Sequence, residues 1–304
     1  MTMARSNRQV ATEPAARTRP LSGETPQALP AEAPRALVMG GYGLNCDTET
    51  AHVFRLAGAQ TERVHINQLT SGAVRLADFH ILAFIGGFSW ADDHGAGVIL
   101  ATKLRRHLER DLEAFIDGGG YVIGICNGFQ ALVNLGLLPA LGDARFRREV
   151  ALTYNDCGNF RNQWVHLRTE DSPCVFTRGL EGLELPVRHA EGKFVADPET
   201  LARLEEGRQV VLRYARQDGS AAGGEFPLNP NGSMNDIAGI CDPTGRIFGL
   251  MPHPEAFSHY TNHPEWTRWV WTDPTAVPRG AAEERGVGMA FFQNVVDAAR
   301  QTGA

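Results

Sequence analysis

No stretch of this 304-residue chain approaches the roughly 20 consecutive apolar residues that a membrane-spanning helix needs, which excludes a helical span. Cysteine is scarce: five residues at irregular spacing, with no Cys-x-x-Cys pair. That pattern excludes a disulfide framework and leaves reduced thiols. Basic excess is missing too. With 29 Lys and Arg against 35 Asp and Glu, the net charge of −6 gives no electrostatic reason for nucleic-acid binding. There is no Gly-x-x-x-x-Gly-Lys-Ser/Thr phosphate loop, so no nucleotide cofactor is expected in this chain. Nothing repeats internally apart from one tripeptide, His-Pro-Glu.

Residues 1–34 lack any apolar run and are rich in Ala, Pro, Thr, Arg and Glu. They are expected to be a disordered extension. The apolar core of a secretory signal is absent, and Glu13, Glu24 and Glu32 argue against an organelle transit segment. A cytoplasmic location is the expectation.

Residues 35–304 are long and apolar enough for one large core, in a chain that is 43% hydrophobic overall. Strand-like runs at 35–39, 59–66, 81–85 and 121–125 alternate with helix-like segments. The longest of these, 98–116, carries Leu104, Leu108, Leu112 and Phe115 on one face. The pattern predicts an α/β fold, three-layer, with a mostly parallel sheet and helices on both faces.

The most informative segment is Gly124-Ile125-Cys126-Asn127-Gly128-Phe129. It follows the apolar run Tyr121-Val122-Ile123 and leads into a helix-spaced stretch containing Gln130, Leu132 and Val133. Cys126 would stand on a sharp strand-to-helix turn, the cysteine version of a nucleophile elbow. The competing reading is an inert cysteine buried in a strand.

A thiol nucleophile needs a base, and the base needs an orienting group. Residues 246–251 read as a strand running into Pro252-His253-Pro254-Glu255. In an extended segment His253 and Glu255 would project from one face. The second copy, His263-Pro264-Glu265, has no strand leading into it and is expected to be a solvated or partner-facing loop. His259 and His263 stand four apart, but a shared metal would need a helix that Pro254 and Pro264 disfavour, so no metal is expected.

Taken in order, these residues resemble the class I (triad) glutamine amidotransferase family. Within it, they are most similar to the glutaminase subunits that serve phosphoribosylformylglycinamidine synthase. Further segments carry the likeness: Gly43-Leu44-Asn45-Cys46-Asp47, Gly86-Gly87-Phe88-Ser89, Asn127 with Phe129-Gln130, His189-Ala190-Glu191-Gly192-Lys193-Phe194, and Asn229-Pro230-Asn231-Gly232-Ser233. The likeness spans residues 35–268 and implies a flavodoxin-like layout.

The resemblance implies a Cys126-His253-Glu255 triad that hydrolyses glutamine to glutamate and ammonia. Gly87, Phe88, Asn127 and Gln130 would serve the oxyanion and the substrate. Backbone N–H groups at the Gly86-Gly87-Phe88 loop and at Asn127 are the expected oxyanion donors, although Gly-Gly also suits an ordinary turn. The ammonia would pass to a synthetase subunit that converts formylglycinamide ribonucleotide to formylglycinamidine ribonucleotide. ATP and magnesium are expected there, and a small accessory subunit is a further implied partner. The 189–194 and 229–240 segments would serve docking or the glutamine pocket, against a plain turn role for Asn229, Pro230 and Gly232.

Departures from the pattern are specific. Trp90-Ala91-Asp92 stands where the relatives lead one to expect Tyr-Gly-Asp, and Ala190 follows His189 where glycine is expected. The tail from Phe257, with Trp266, Trp269 and Trp271, suits either docking or packing. The alternatives kept open are an amidotransferase serving a different acceptor, a stand-alone cysteine hydrolase, and a regulatory subunit on the same fold.

Overall fold

Four apolar runs of the N-terminal half become the parallel centre of the molecule. The computed structural model describes residues 32–272 and 284–302. In chain order the first half comprises β1 (Arg35–Gly40), α1 (Asp47–Leu56), β2 (Gln60–His65), α2 (Ile66–Thr70), β3 (Ile81–Phe84), α3 (Val98–Asp117), β4 (Tyr121–Ile125) and α4 (Asn127–Leu135). The second half adds β5 (Ala151–Tyr154), β6 (Arg161–Thr169), β7 (Gly182–His189), β8 (Glu191–Val195), α5 (Pro198–Glu206), β9 (Val210–Ala215), β10 (Ile237–Cys241), β11 (Ile247–Leu250), α6 (Trp266–Thr272) and α7 (Met289–Gln301).

Nine strands form one sheet in the order β2-β1-β3-β4-β11-β10-β9-β6-β7, while β5 and β8 pair separately. The first five are parallel, and their order is that of a flavodoxin-like sheet. The other four extend it antiparallel. β3, β4 and β11 are buried along their whole length, as strands covered on both faces must be.

Helices cover both faces because the first crossovers run in opposite directions. The chain steps from β1 through α1 to β2 one way along the sheet, and from β3 through α3 to β4 the other way. Right-handed crossovers then place α1 and α3 on opposite sides. α1 packs with α7 through an edge-to-face Phe54–Phe292 contact at 4.9 Å. α3 packs with α4 and buries Leu104, Leu108, Leu112 and Phe115, the face expected from its spacing. Each of those side chains stabilises the fold by about 1.5–3 kcal/mol through burial.

The expected extension at 1–34 lies outside the described residues up to position 31. Of the remainder, Ala33 and Pro34 are buried, and Pro34 O accepts from Gln60 N–H at 2.9 Å. Among the described residues no helix is long and apolar enough to cross a membrane.

Candidate active site

Adjacent strands deliver the three triad candidates. β4 and β11 are parallel, with Ile125 paired to Leu250. The Cys126 N–H donates to Leu250 O at 2.8 Å, so the residue after β4 is stitched to the end of β11. Cys126 then adopts φ 51°, ψ −106°, and α4 begins at the next residue. A non-glycine residue in this region is strained, and the surrounding sheet and helix hold it there. The elbow expected from sequence is therefore present. The Cys126 thiol lies 3.6 Å from Arg188 O at the end of β7.

His253 and Glu255 follow β11 by a route the sequence pattern did not anticipate. Residues 253–255 were expected to continue extended, but Pro254–Ala256 is a 3₁₀ turn. Proline is pre-organised for the first position of a helical turn, which explains the bend. The turn still aims the carboxylate at the ring: His253 Nδ1 and Glu255 Oε1 are 2.6 Å apart, and both side chains are buried. Burial pushes the imidazole toward neutrality. The Glu255 carboxylate and then the Cys126 and Cys46 thiols outweigh that and hold it well above its ordinary range. His253 Nε2 and Glu255 Oε2 are buried without a protein partner. An imidazole with an open Nε2 beside a thiol can take a proton from sulfur, and catalytic hydrogen bonds often tighten only once substrate is bound.

The loop after β3 closes the site. Gly87 has φ +142°, and a Cβ there would meet Gly43 O and Leu44 Cα at 2.7 Å, so glycine is required. Leu44 and Gly87 form an isolated bridge whose bonds run through their neighbours: Asn45 N–H to Gly86 O at 3.2 Å and Phe88 N–H to Gly43 O at 2.8 Å. The Phe88 amide is thus committed and cannot serve as an oxyanion donor. Its ring is well exposed and faces Phe160 at 6.2 Å. The Gly87 N–H is not part of that bridge. The Asn127 N–H opens α4, where first-turn amides have no intrahelical acceptor.

The Asn127 side chain locks this loop to the helix. Its Oδ1 accepts from Ser89 N–H at 3.4 Å, and its Nδ2 donates to Asp92 Oδ1 at 3.0 Å and to Gln130 Oε1 at 3.1 Å. Gln130 Nε2 in turn donates to Glu191 O. Burial, reinforced by repulsion from Glu191, raises the Asp92 carboxyl to about 6.

The structure gives the second His-Pro-Glu copy, the Asn229 segment and the tail packing partners of their own. His263 was expected in a solvated or partner-facing loop, yet it is buried within the chain. Its ring stacks on Trp269 at 4.3 Å, meets Trp164 edge-on at 4.5 Å, and its Nε2 lies 3.1 Å from Glu184 Oε2. A tripeptide without a leading strand can still be packed when aromatics surround it. Asn229 Oδ1 accepts from Gly232 and Ser233 N–H, and Asn231 Nδ2 donates to Gly192 O. That segment is a turn staple against β8. In the tail, Trp269 packs on His263, whereas Trp271 is 87% exposed.

Two residues beside the triad were quoted from sequence only within longer segments, without a role of their own. Cys46, in the loop after β1, shares a wall with His253: a Cβ on Gly86 would lie 3.1 Å from Cys46 Sγ and 2.8 Å from His253 Cε1. Burial raises the Cys46 thiol, with His253 acting in the opposite sense and Glu255 in the same sense as burial. The resemblance already included Asn45-Cys46-Asp47, but nothing local ties that thiol to a histidine about two hundred residues later. His189 is the second. It is buried beside Arg188, and Asn155 Oδ1 lies 3.2 Å from its Nδ1 and accepts from Gly192 N–H. Burial and the nearby His253 push its imidazole down to about 3.

Comparison with known proteins converges with this geometry. A family model described as a CobB/CobQ-like glutamine amidotransferase domain matches residues 33–297. A phosphoribosylformylglycinamidine synthase subunit PurQ from Methanococcus maripaludis is 48% identical over 233 residues, which cover 77% of this chain and 86% of that one. A PurQ subunit from Dehalococcoides mccartyi is 44% identical over 268 residues, 88% of this chain and 98% of that one. The fold overlays on a chain in the structure of PurLQS from Thermotoga maritima with TM-score 0.63 at 27% identity, covering 88% of this chain and 99% of that one.

Proposed function

The chain belongs to the CobB/CobQ-like glutamine amidotransferase family, and on that premise we propose that it is the glutaminase subunit of a phosphoribosylformylglycinamidine synthase. Cys126 is the nucleophile, His253 its base and later acid, and Glu255 the group that orients the ring. The observation that carries the reading is the buried 2.6 Å His253–Glu255 bond at the mouth of the strand that neighbours the Cys126 elbow.

The steps balance with these groups alone. Cys126 passes its proton to His253 Nε2 and its sulfur attacks the side-chain amide carbon of glutamine. The oxyanion is held by the Gly87 and Asn127 N–H groups; loss of one such donor costs about 3 kcal/mol of transition-state stabilisation. His253 returns the proton to the amide nitrogen, the C–N bond breaks, and ammonia leaves a γ-glutamyl thioester. Water, deprotonated by His253, then releases glutamate and regenerates the thiol. Glu255 keeps the proton-bearing Nδ1 facing away from sulfur throughout. Asn127 and Gln130 position the loop and the first turn of α4 that frame the glutamine.

Ammonia is consumed by a partner synthetase that activates formylglycinamide ribonucleotide with ATP and magnesium, because this chain has no phosphate loop of its own. The PurLQS likeness supports such an assembly, with a small third subunit as a further partner. The test mixes the chain with the same organism's synthetase subunits, ATP, magnesium and formylglycinamide ribonucleotide. Wild type should form formylglycinamidine ribonucleotide from glutamine, and Cys126→Ala only from added ammonia. Glutamate without the ribonucleotide product would redirect the assignment to another acceptor.

A further inference from the structure

Cys46 takes no part in the chemistry above, yet it completes a donor set. Among the described residues, Cys46, His253 and Glu255 each offer a ligand atom within 4.8 Å of the other two, and all three residues are buried. We propose that these residues form a binding site for zinc, or a similarly soft divalent cation, that switches the triad off by capturing its base.

Four points carry this. The donors are thiolate, imidazole and carboxylate, a set zinc takes, and a tetrahedral ion with bonds of about 2.0–2.3 Å would hold them about 3.3–3.8 Å apart. Glu255 Oε2 is buried and lacks a protein partner, and an ion held by Cys46, His253 Nδ1 and Glu255 would take the place of the proton that Nδ1 and Oε1 share. The charge also closes: a dication offsets one thiolate and one carboxylate in a buried site, leaving a fourth position for water. Cys46 and His253 line one wall, across which no side chain intervenes because residue 86 is glycine. Binding displaces the Cys46 proton to solvent and, by taking Nδ1, leaves the imidazole proton on Nε2, so His253 can no longer take the Cys126 proton.

The inhibitory consequence rests on the glutaminase reading, whereas the binding does not. The full chain would be titrated with zinc against a chromophoric chelator, as wild type, Cys126→Ala and Cys46→Ser. Wild type and Cys126→Ala should bind one equivalent equally, and Cys46→Ser should bind at least about tenfold more weakly, since even outer-shell changes cost that much. Should Cys46→Ser fail to fold, cobalt(II) added to Cys126→Ala should give a thiolate-to-metal charge-transfer band, and its absence would overturn the site. Loss of binding in Cys126→Ala but not in Cys46→Ser would assign the metal to the nucleophile instead. Zinc inhibition of glutamate release, scaled to each protein's own zinc-free rate, should weaken in Cys46→Ser. A chain that binds zinc at Cys46 but releases no glutamate alongside its synthetase would refute the glutaminase reading and leave the site standing.

Discussion

Asn127 Nδ2 donates to Asp92 Oδ1 at 3.0 Å, and this bond ties the first turn behind the nucleophile to the loop that follows β3. The bond holds a carboxylate where it is disfavoured, half-buried and repelled by Glu191. Asp92→Asn keeps an acceptor oxygen for Asn127 and removes the charge. The folded-state carboxyl titrates near 6 against 3.8 for the free group, so the native state disfavours the ionised form above that range. At pH 7.5 the variant should be more stable by about 1 kcal/mol, after discounting for the half that water screens. Below pH 3.8 the gain should vanish. Urea midpoints at pH 7.5 and 3.5 check both halves.

The same loop contains a residue in the wrong conformation for its type. Ala91 sits at φ 57°, ψ 24°, between Trp90 and Asp92, which are also left-handed. Its family resemblance calls for glycine there. An L residue in this region costs about 1–2 kcal/mol, of which a glycine gives back part as extra chain entropy in the unfolded state. Ala91→Gly should therefore raise stability by about 0.5–1 kcal/mol, read as a higher denaturation midpoint at unchanged slope. A lower midpoint would mean that the loop's strain is offset by contacts of the Ala91 methyl group.

The two His-Pro-Glu copies should separate activity from stability. His253→Ala removes the base and should lower glutamine turnover by at least about 10³-fold. His263→Ala removes a ring packed between Trp164 and Trp269 and frees Glu184. It should cost about 2–4 kcal/mol of stability and leave turnover per folded molecule within a few-fold. Active-site titration with a glutamine-mimicking electrophile supplies the folded count for His263→Ala, and circular dichroism supplies it for His253→Ala, whose thiol has lost its base. Equal turnover losses in the two variants would contradict this division.

How far the sequence foretold this follows from the range of each interaction. β1, β3, β4 and α3 were legible because their signal is local: short apolar runs and a leucine stripe. The elbow was legible because Gly124 and Gly128 bracket Cys126 within five residues. β6 was not, since Arg161 to Thr169 opens on three polar residues, has no apolar run, and finds its pairs in β7 and β9, which lie at different distances along the chain. The antiparallel half of the sheet was missed for that reason. The places of Cys46 and His189 beside the triad escaped because only tertiary contacts bring them there: the Cys46 N–H donates to Gly86 O, and the His253 N–H donates to Pro186 O in β7. The turn at Pro254 was misjudged because proline is compatible with both an extended link and a helical first turn.

The acid side of the stability profile should be set largely by His189. Its imidazole is buried and titrates near 3 in the fold, against 6.5 when free. Between those values the unfolded chain binds a proton that the native state excludes, so stability rises with pH across this window. The contribution is complete above pH 6.5 and is lost as pH falls toward 3, amounting to about 2 kcal/mol by pH 5. Asp92 acts in the opposite sense: its raised carboxyl favours the native state at low pH, and that advantage fades as pH rises from 3.8 to about 6. The wild-type curve therefore understates the histidine. His253, raised rather than lowered, contributes stability below 6.5 that is lost as pH rises through its folded value, so the two histidines place the maximum near neutrality from opposite sides. His189→Asn retains a donor toward Asn155 and cannot ionise. Unfolding free energies of the variant and wild type should differ by about 2 kcal/mol less at pH 5 than at pH 7. A difference independent of pH would mean that the imidazole is hydrated in solution and does not titrate as a buried group.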